Sequence, residues 1–114
     1  MSLTSLRAAL RAAPEPTAEL LGQAFDMIHH GDSPRRDRFL RMVAAEAWLD
    51  AARLVVPEPY LVCGSEQVPC GGWCALGITP TATIRHFIHQ DRARTLPTAI
   101  CAAALTAHEG DTAG

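Results

Sequence analysis

Apolar residues recur along this chain first at helical spacing and then at a spacing of two. Ser2 to Ala12 sets Leu3, Leu6 and Leu10 on one side and Arg7 and Arg11 on the other, which predicts a short helix ended by Pro14-Glu15-Pro16. Thr17 suits the cap of a second helix over Ala18 to His30, with Leu20, Leu21, Ala24, Phe25 and Ile28 on its apolar face. Gly31 suits the left-handed residue after that helix. The widest stripe comes next: Leu40, Val43, Ala44, Ala47, Trp48, Ala51, Leu54 and Val55 predict one continuous helix from Arg35 to Val56. Ser33 and Pro34 fit its start, Pro57 and Pro59 its stop, and Glu46, Asp50 and Arg53 fall on its wetted face.

From Tyr60 the period changes to two. Tyr60 to Gly64, Gly72 to Thr79 and Thr81 to His89 read as strands, with a loop over Glu66 to Gly71 and a polar link over Gln90 to Arg94. In the second, Cys74, Leu76 and Ile78 share a face. In the third, Ala82, Ile84, His86 and Ile88 share the inner face, and Thr83, Arg85, Phe87 and His89 the outer one. A closing helix over Pro97 to His108 is apolar nearly all round between Ile100 and Leu105, and residues 109–114 are expected to fray. Strands clustered between helices give an α+β class: a small antiparallel sheet of about three strands packed with helices as an α-β-α sandwich, in a single domain over 1–114.

Composition narrows this picture only slightly. A net charge of -2 argues against bulk electrostatic attachment to nucleic acid, while leaving a local basic patch open. All ten basic residues are arginine, and lysine and asparagine are absent. Both missing residues have A-rich codons, so a GC-rich bacterial origin is expected. Met1 to Ala13 lacks the long apolar run of a secretion signal and no stretch approaches a membrane span, so a cytoplasmic protein with reduced thiols is the expectation.

Leu49-Asp50-Ala51-Ala52-Arg53-Leu54-Val55-Val56-Pro57-Glu58 resembles the helix-ending segment of the phage ABA-sandwich domain, where a D-A-A-x-x-L-V-P-E type stretch precedes a few strands. Thr95-Leu96-Pro97-Thr98-Ala99-Ile100-Cys101-Ala102-Ala103-Ala104-Leu105-Thr106-Ala107 is similar to that family's closing helix, T-P-A-x-A-x-C-x-A-A-L-x-A, with Leu96 in the slot of the capping threonine. The likeness covers most of the chain. It implies a phage or prophage accessory protein with helices on both sides of a small sheet, and it implies no catalytic residue; Cys101 falls at a packed helix position.

Candidate chemistry is thin. Arg35, Arg36, Arg38 and Arg41 form the one basic cluster, near a helix start whose N–H groups add positive potential, and fit an anionic ligand, an acidic partner or nucleic acid. The bland alternative is a solvated face paired with Asp32 and Asp37. Arg85, Phe87 and His89 would make a half-polar contact surface for a partner or for a homodimer, against a monomer whose sheet edge is covered by the N-terminal helix. Cys63, Cys70, Cys74, His86 and His89 are soft enough for zinc, but Cys70 and Cys74 are separated by three residues, and His86 and His89 point to opposite faces of a strand unless a bulge intervenes. Cys70 beside Gly71-Gly72 is a candidate nucleophile with no local signature around it. His29-His30-Gly31-Asp32-Ser33 has acid–base residue types at a helix end, where histidines more often bond the last carbonyls. The leading reading is a non-enzymatic accessory protein that binds a host protein or a small anionic ligand, without cofactor. The alternatives are a small zinc- or cysteine-dependent protein and a nucleic-acid-binding module.

Overall fold

The computed structural model describes residues 2–77 and 87–113. Four helices come first: α1 (Leu3–Ala12), α2 (Ala18–Ile28), α3 (Ser33–Ala44) and α4 (Trp48–Val55). Three strands come next, β1 (Leu61–Val68), β2 (Gly71–Gly77) and β3 (Phe87–Ala93), and α5 (Leu96–Ala113) closes the fold. The strands form one antiparallel sheet in the order β1-β2-β3. This is an α+β fold with helices first, a three-stranded antiparallel sheet between, and one helix last.

The caps are local. Ser2 accepts from Ser5 N–H to open α1, and Thr17 accepts from Leu20 N–H to open α2. Gly31 adopts φ +88° after α2. Asp32, rather than Ser33, caps α3 by accepting from Arg35 N–H. Thr95 caps α5, its hydroxyl accepting from Thr98 N–H at 3.4 Å, so the hydroxyl one residue earlier does what Leu96 cannot.

The helix expected over Arg35 to Val56 is two helices. Ala47 N–H donates to Met42 O at 2.9 Å and Glu46 N–H to Val43 O at 3.0 Å, with Glu46 left-handed at φ +55°. That is a Schellman ending built without glycine. The break turns the stripe: Phe39 is 2% exposed and stacks on Phe25, whereas Leu40 is 48% exposed. In α4, Ala51, Ala52 and Val55 are fully buried, and Leu54 is only partly so.

The strands also shift. β1 runs on to Val68, so the expected loop over Glu66 to Gly71 reduces to the two-residue turn Pro69-Cys70. Gln90 to Ala93, read as a polar link, is strand, while the expected strand residues Thr81 to His86 lie outside the described residues. Leu76 pairs with His89 and Gly77 with Phe87, which leaves Ile88 as an extra residue in β3. This bulge reverses the parity of the residues after it, so His89 and Asp91 face the helices together with Cys74 and Leu76. The tail expected to fray from Glu109 is helical to Ala113.

α5 lies across the sheet, chiefly on β2 and β3, and α1, α2 and α4 pack on its other sides. Ala99 to Leu105 are therefore buried all round, as the nearly uniform apolar sequence requires. Helices thus pack with the small antiparallel sheet, α5 seated directly on it. Two sequence-distant contacts fix this packing. Asp91 on β3, 6% exposed, receives Arg11 Nε and Nη2 from α1 at 2.8 and 2.7 Å and the Thr106 hydroxyl from α5 at 3.2 Å. At Gly72, a Cβ would lie 2.5 Å from Leu96 N, so the entry of β2 passes directly under the β3–α5 junction.

Candidate binding site

Arg35 leaves the first turn of α3 and reaches the end of α4. Its Nη1 donates to Leu54 O at 3.1 Å, Nη2 to Glu58 Oε1 at 3.1 Å, and Nε lies 3.4 Å from Asp32 Oδ2. His29, just past α2, places Nε2 2.9 Å from Val55 O. The last carbonyls of α4, which have no partner inside the helix, are thus met from neighbouring helices. An N–H donor is what the Val55 carbonyl needs, so the imidazole carries its proton on Nε2. Burial is the main cause pushing the His29 pKa below its ordinary value; the bond to Val55 and the charge of Asp32 oppose this, while Arg35 and His108 add to it.

This knot divides two clefts. The larger, about 710 Å³, is lined by Arg35, Arg53, Val56 and Glu58 on one side and by the run Tyr60–Ser65 on the other. The smaller, about 330 Å³, lies among Ile28, His29, Asp32, Arg35, Pro57, Glu58 and His108. Two guanidinium groups and one carboxylate line the first, whereas one guanidinium faces two carboxylates in the second. An anion therefore fits the larger cleft better. Arg35 forms its firm wall, with a side chain only 16% exposed, while Glu58 is 86% exposed and able to swing aside. Arg53, in the last turn of α4, is exposed at the rim.

The four arginines of the basic cluster do not converge. Only Arg35 enters the cleft; Arg36 pairs with Asp26 on α2, Arg41 bonds back to Asp37 O at 3.4 Å, and Arg38 lies exposed. Arg85 and His86 lie outside the described residues. The expected surface face around His89 changes with the bulge: His89 is half-buried on the helix side, 3.4 Å from the Tyr60 hydroxyl, with the two rings edge to face at 5.4 Å. Phe87 opens β3 beside that bulge. Sequence reasoning missed Arg53 and Glu58 as site residues. The available signal was that both flank the Pro57 stop, where a helix end turns into an edge strand.

The cysteines are spread through the fold. Cys63 is the extra residue of a bulge in β1 and lines the larger cleft, Cys70 is exposed at the β1–β2 turn, and Cys74 and Cys101 are buried. Burial, reinforced by Cys63, pushes the Cys74 thiol up to about 12, and burial pushes Cys101 up as well. Neither is poised as a thiolate nucleophile near neutral pH. Among the described residues no three of His, Cys, Asp and Glu are grouped to hold a metal ion. No described helix is long and apolar enough to cross a membrane.

Comparison of the chain with family models, with curated proteins and with solved structures finds no match.

Proposed function

We propose that this chain is a non-enzymatic accessory protein of phage or prophage origin, and that it works by binding an anionic group in the cleft between the end of α4 and β1. The origin rests on the resemblance carried by the segments Leu49 to Glu58 and Thr95 to Ala107. The binding role rests on one observation: of the basic cluster, Arg35 alone is drawn inward and held by Leu54 O and Glu58, beside Arg53 in the same cleft. A guanidinium already fixed by its neighbours loses little freedom when it meets a carboxylate, phosphate or sulfate, and its planar fork suits all three. Glu58 is then the internal stand-in that a stronger anion displaces.

The test is calorimetric titration of sodium sulfate at constant ionic strength into the protein and into Arg53→Glu. The expected result is saturable binding that weakens by about tenfold in the variant, as for loss of one charged contact worth about 1.4 kcal/mol. Glu58→Gln should bind more tightly than the parent. Equal responses of all three proteins would sink the reading.

A further inference from the structure

The cleft has a second property besides its charge. Its β1 wall is the unbroken run Tyr60–Ser65. Side chains alternate across a strand, so the successive residues on either side of the Cys63 bulge, Leu61 with Val62 and Gly64 with Ser65, line one cavity where β1 presents its edge. β1 is an end strand of the described sheet, and its outer edge pairs with no described strand. We infer that this edge is a docking strand for an extended, acidic segment of a partner protein, which adds to the sheet by main-chain hydrogen bonds while a carboxylate side chain meets Arg53. This rests on the anion reading of the cleft and names its occupant.

Five observations favour this occupant. The wall spans about 20 Å of extended chain at a strand rise of about 3.3 Å per residue, enough for a short peptide and more than a lone phosphate needs. Gly64 sits within it, where the missing side chain lets a second backbone approach closely. Leu61 at its start is 43% exposed, a large apolar side chain suited to alternate peptide side chains. The opposite wall carries Arg35 and Arg53 against Glu58 alone, so an acidic segment is favoured and a basic one repelled. β1 also lacks the lysine or internal proline that natural edges use against pairing. Its guards are the exposed charge of Glu66, beyond the cleft, and the bulge at Cys63, which bends the strand and limits a partner to a short segment.

Fluorescence anisotropy of a labelled peptide of alternating valine and glutamate tests this directly. Three comparisons are made: the lysine counterpart, the same peptide with alternate amides N-methylated in each of the two registers, and sodium sulfate as competitor. The expected result is binding of the acidic peptide alone, loss of about fivefold or more on methylation in one register, as for one main-chain bond worth about 1 kcal/mol, and about tenfold loss in Arg53→Glu. Binding that ignores methylation in both registers would overturn edge pairing. Saturable sulfate binding without peptide binding would overturn it too, while leaving the anion reading standing; failure of both ligands removes both. A dimer that forms with concentration and excludes the peptide would show that a second copy takes the edge, and would also overturn the inference.

Discussion

Glu46→Gly should stabilise this protein, and the sign matters more than the size. Glu46 is left-handed at φ +55°, between two main-chain bonds that close α3. An L-residue pays about 1–2 kcal/mol there relative to glycine. Its carboxylate also lies at the negative end of the α3 dipole, an unfavourable position worth about 0.3–1 kcal/mol at an exposed site. Against this, glycine adds unfolded-state freedom costing about 0.4–1 kcal/mol. The net expectation is a gain of about 0.3–2.6 kcal/mol, measured as a shifted urea midpoint at constant m-value. Glu46→Ala separates the contributions: it removes the charge, keeps the strain, and should gain only the charge part, about 0.3–1 kcal/mol. In an unbroken helix, glycine here would cost about 1 kcal/mol. A loss of that size would refute the break between α3 and α4, and with it the turn that buries Phe39 and exposes Leu40.

Three further outcomes are expected. Gly72→Ala should destabilise by more than about 2 kcal/mol in denaturant melts, because its Cβ would meet backbone atoms of Thr95 and Leu96 at 2.5–2.6 Å; a loss under about 0.5 kcal/mol would mean that the junction lies elsewhere. Asp91→Ala should cost about 1.5–3 kcal/mol, below the range for breaking a fully buried ion pair, since the stranded Arg11 side chain is already 50% exposed and can reach water. His29 has a folded pKa below its ordinary value of 6.5, so below about pH 6.5 the unfolded chain takes up a proton that the folded one resists. Its contribution is flat above that pH and falls as pH drops towards the folded pKa; stability curves of the parent and His29→Gln that stay parallel from pH 8 to 5 would contradict this.

Much of the fold was legible because local rules were strong where they applied. Thr17, Gly31 and the Pro14-Glu15-Pro16 break mark α1 and α2 without any tertiary help. The uniform apolar run of α5 already required burial on several sides. The α3–α4 break was invisible because its left-handed residue is a glutamate, and neither glycine nor proline interrupts the stripe. β1 was cut short because Ser65, Glu66 and Gln67 are polar, which an edge strand tolerates and a strict period of two does not accommodate. The His89 face was inverted by one residue at Ile88, since a period of two has no memory across a bulge. Of the candidate site, Arg35 could be seen as part of a basic cluster. Its separation from Arg36, Arg38 and Arg41 depends on where α4 ends in space, which no spacing in α3 encodes. Glu58 and Arg53 enter only through that same junction.

The central claim, that the cleft between α4 and β1 is where this protein holds an anionic partner, is tested most directly by locating the ligand. A nitrogen–proton correlation spectrum would be recorded on labelled protein titrated with the valine–glutamate peptide, and separately with sulfate, following backbone amides and arginine side-chain N–H groups. Saturable shifts are expected, confined to residues 60–65, to the end of α4 and to the Nε–H signals of Arg35 and Arg53. Saturable shifts centred instead on Arg38 and Arg41, or on Trp73 and Arg92, with β1 unmoved, would contradict it.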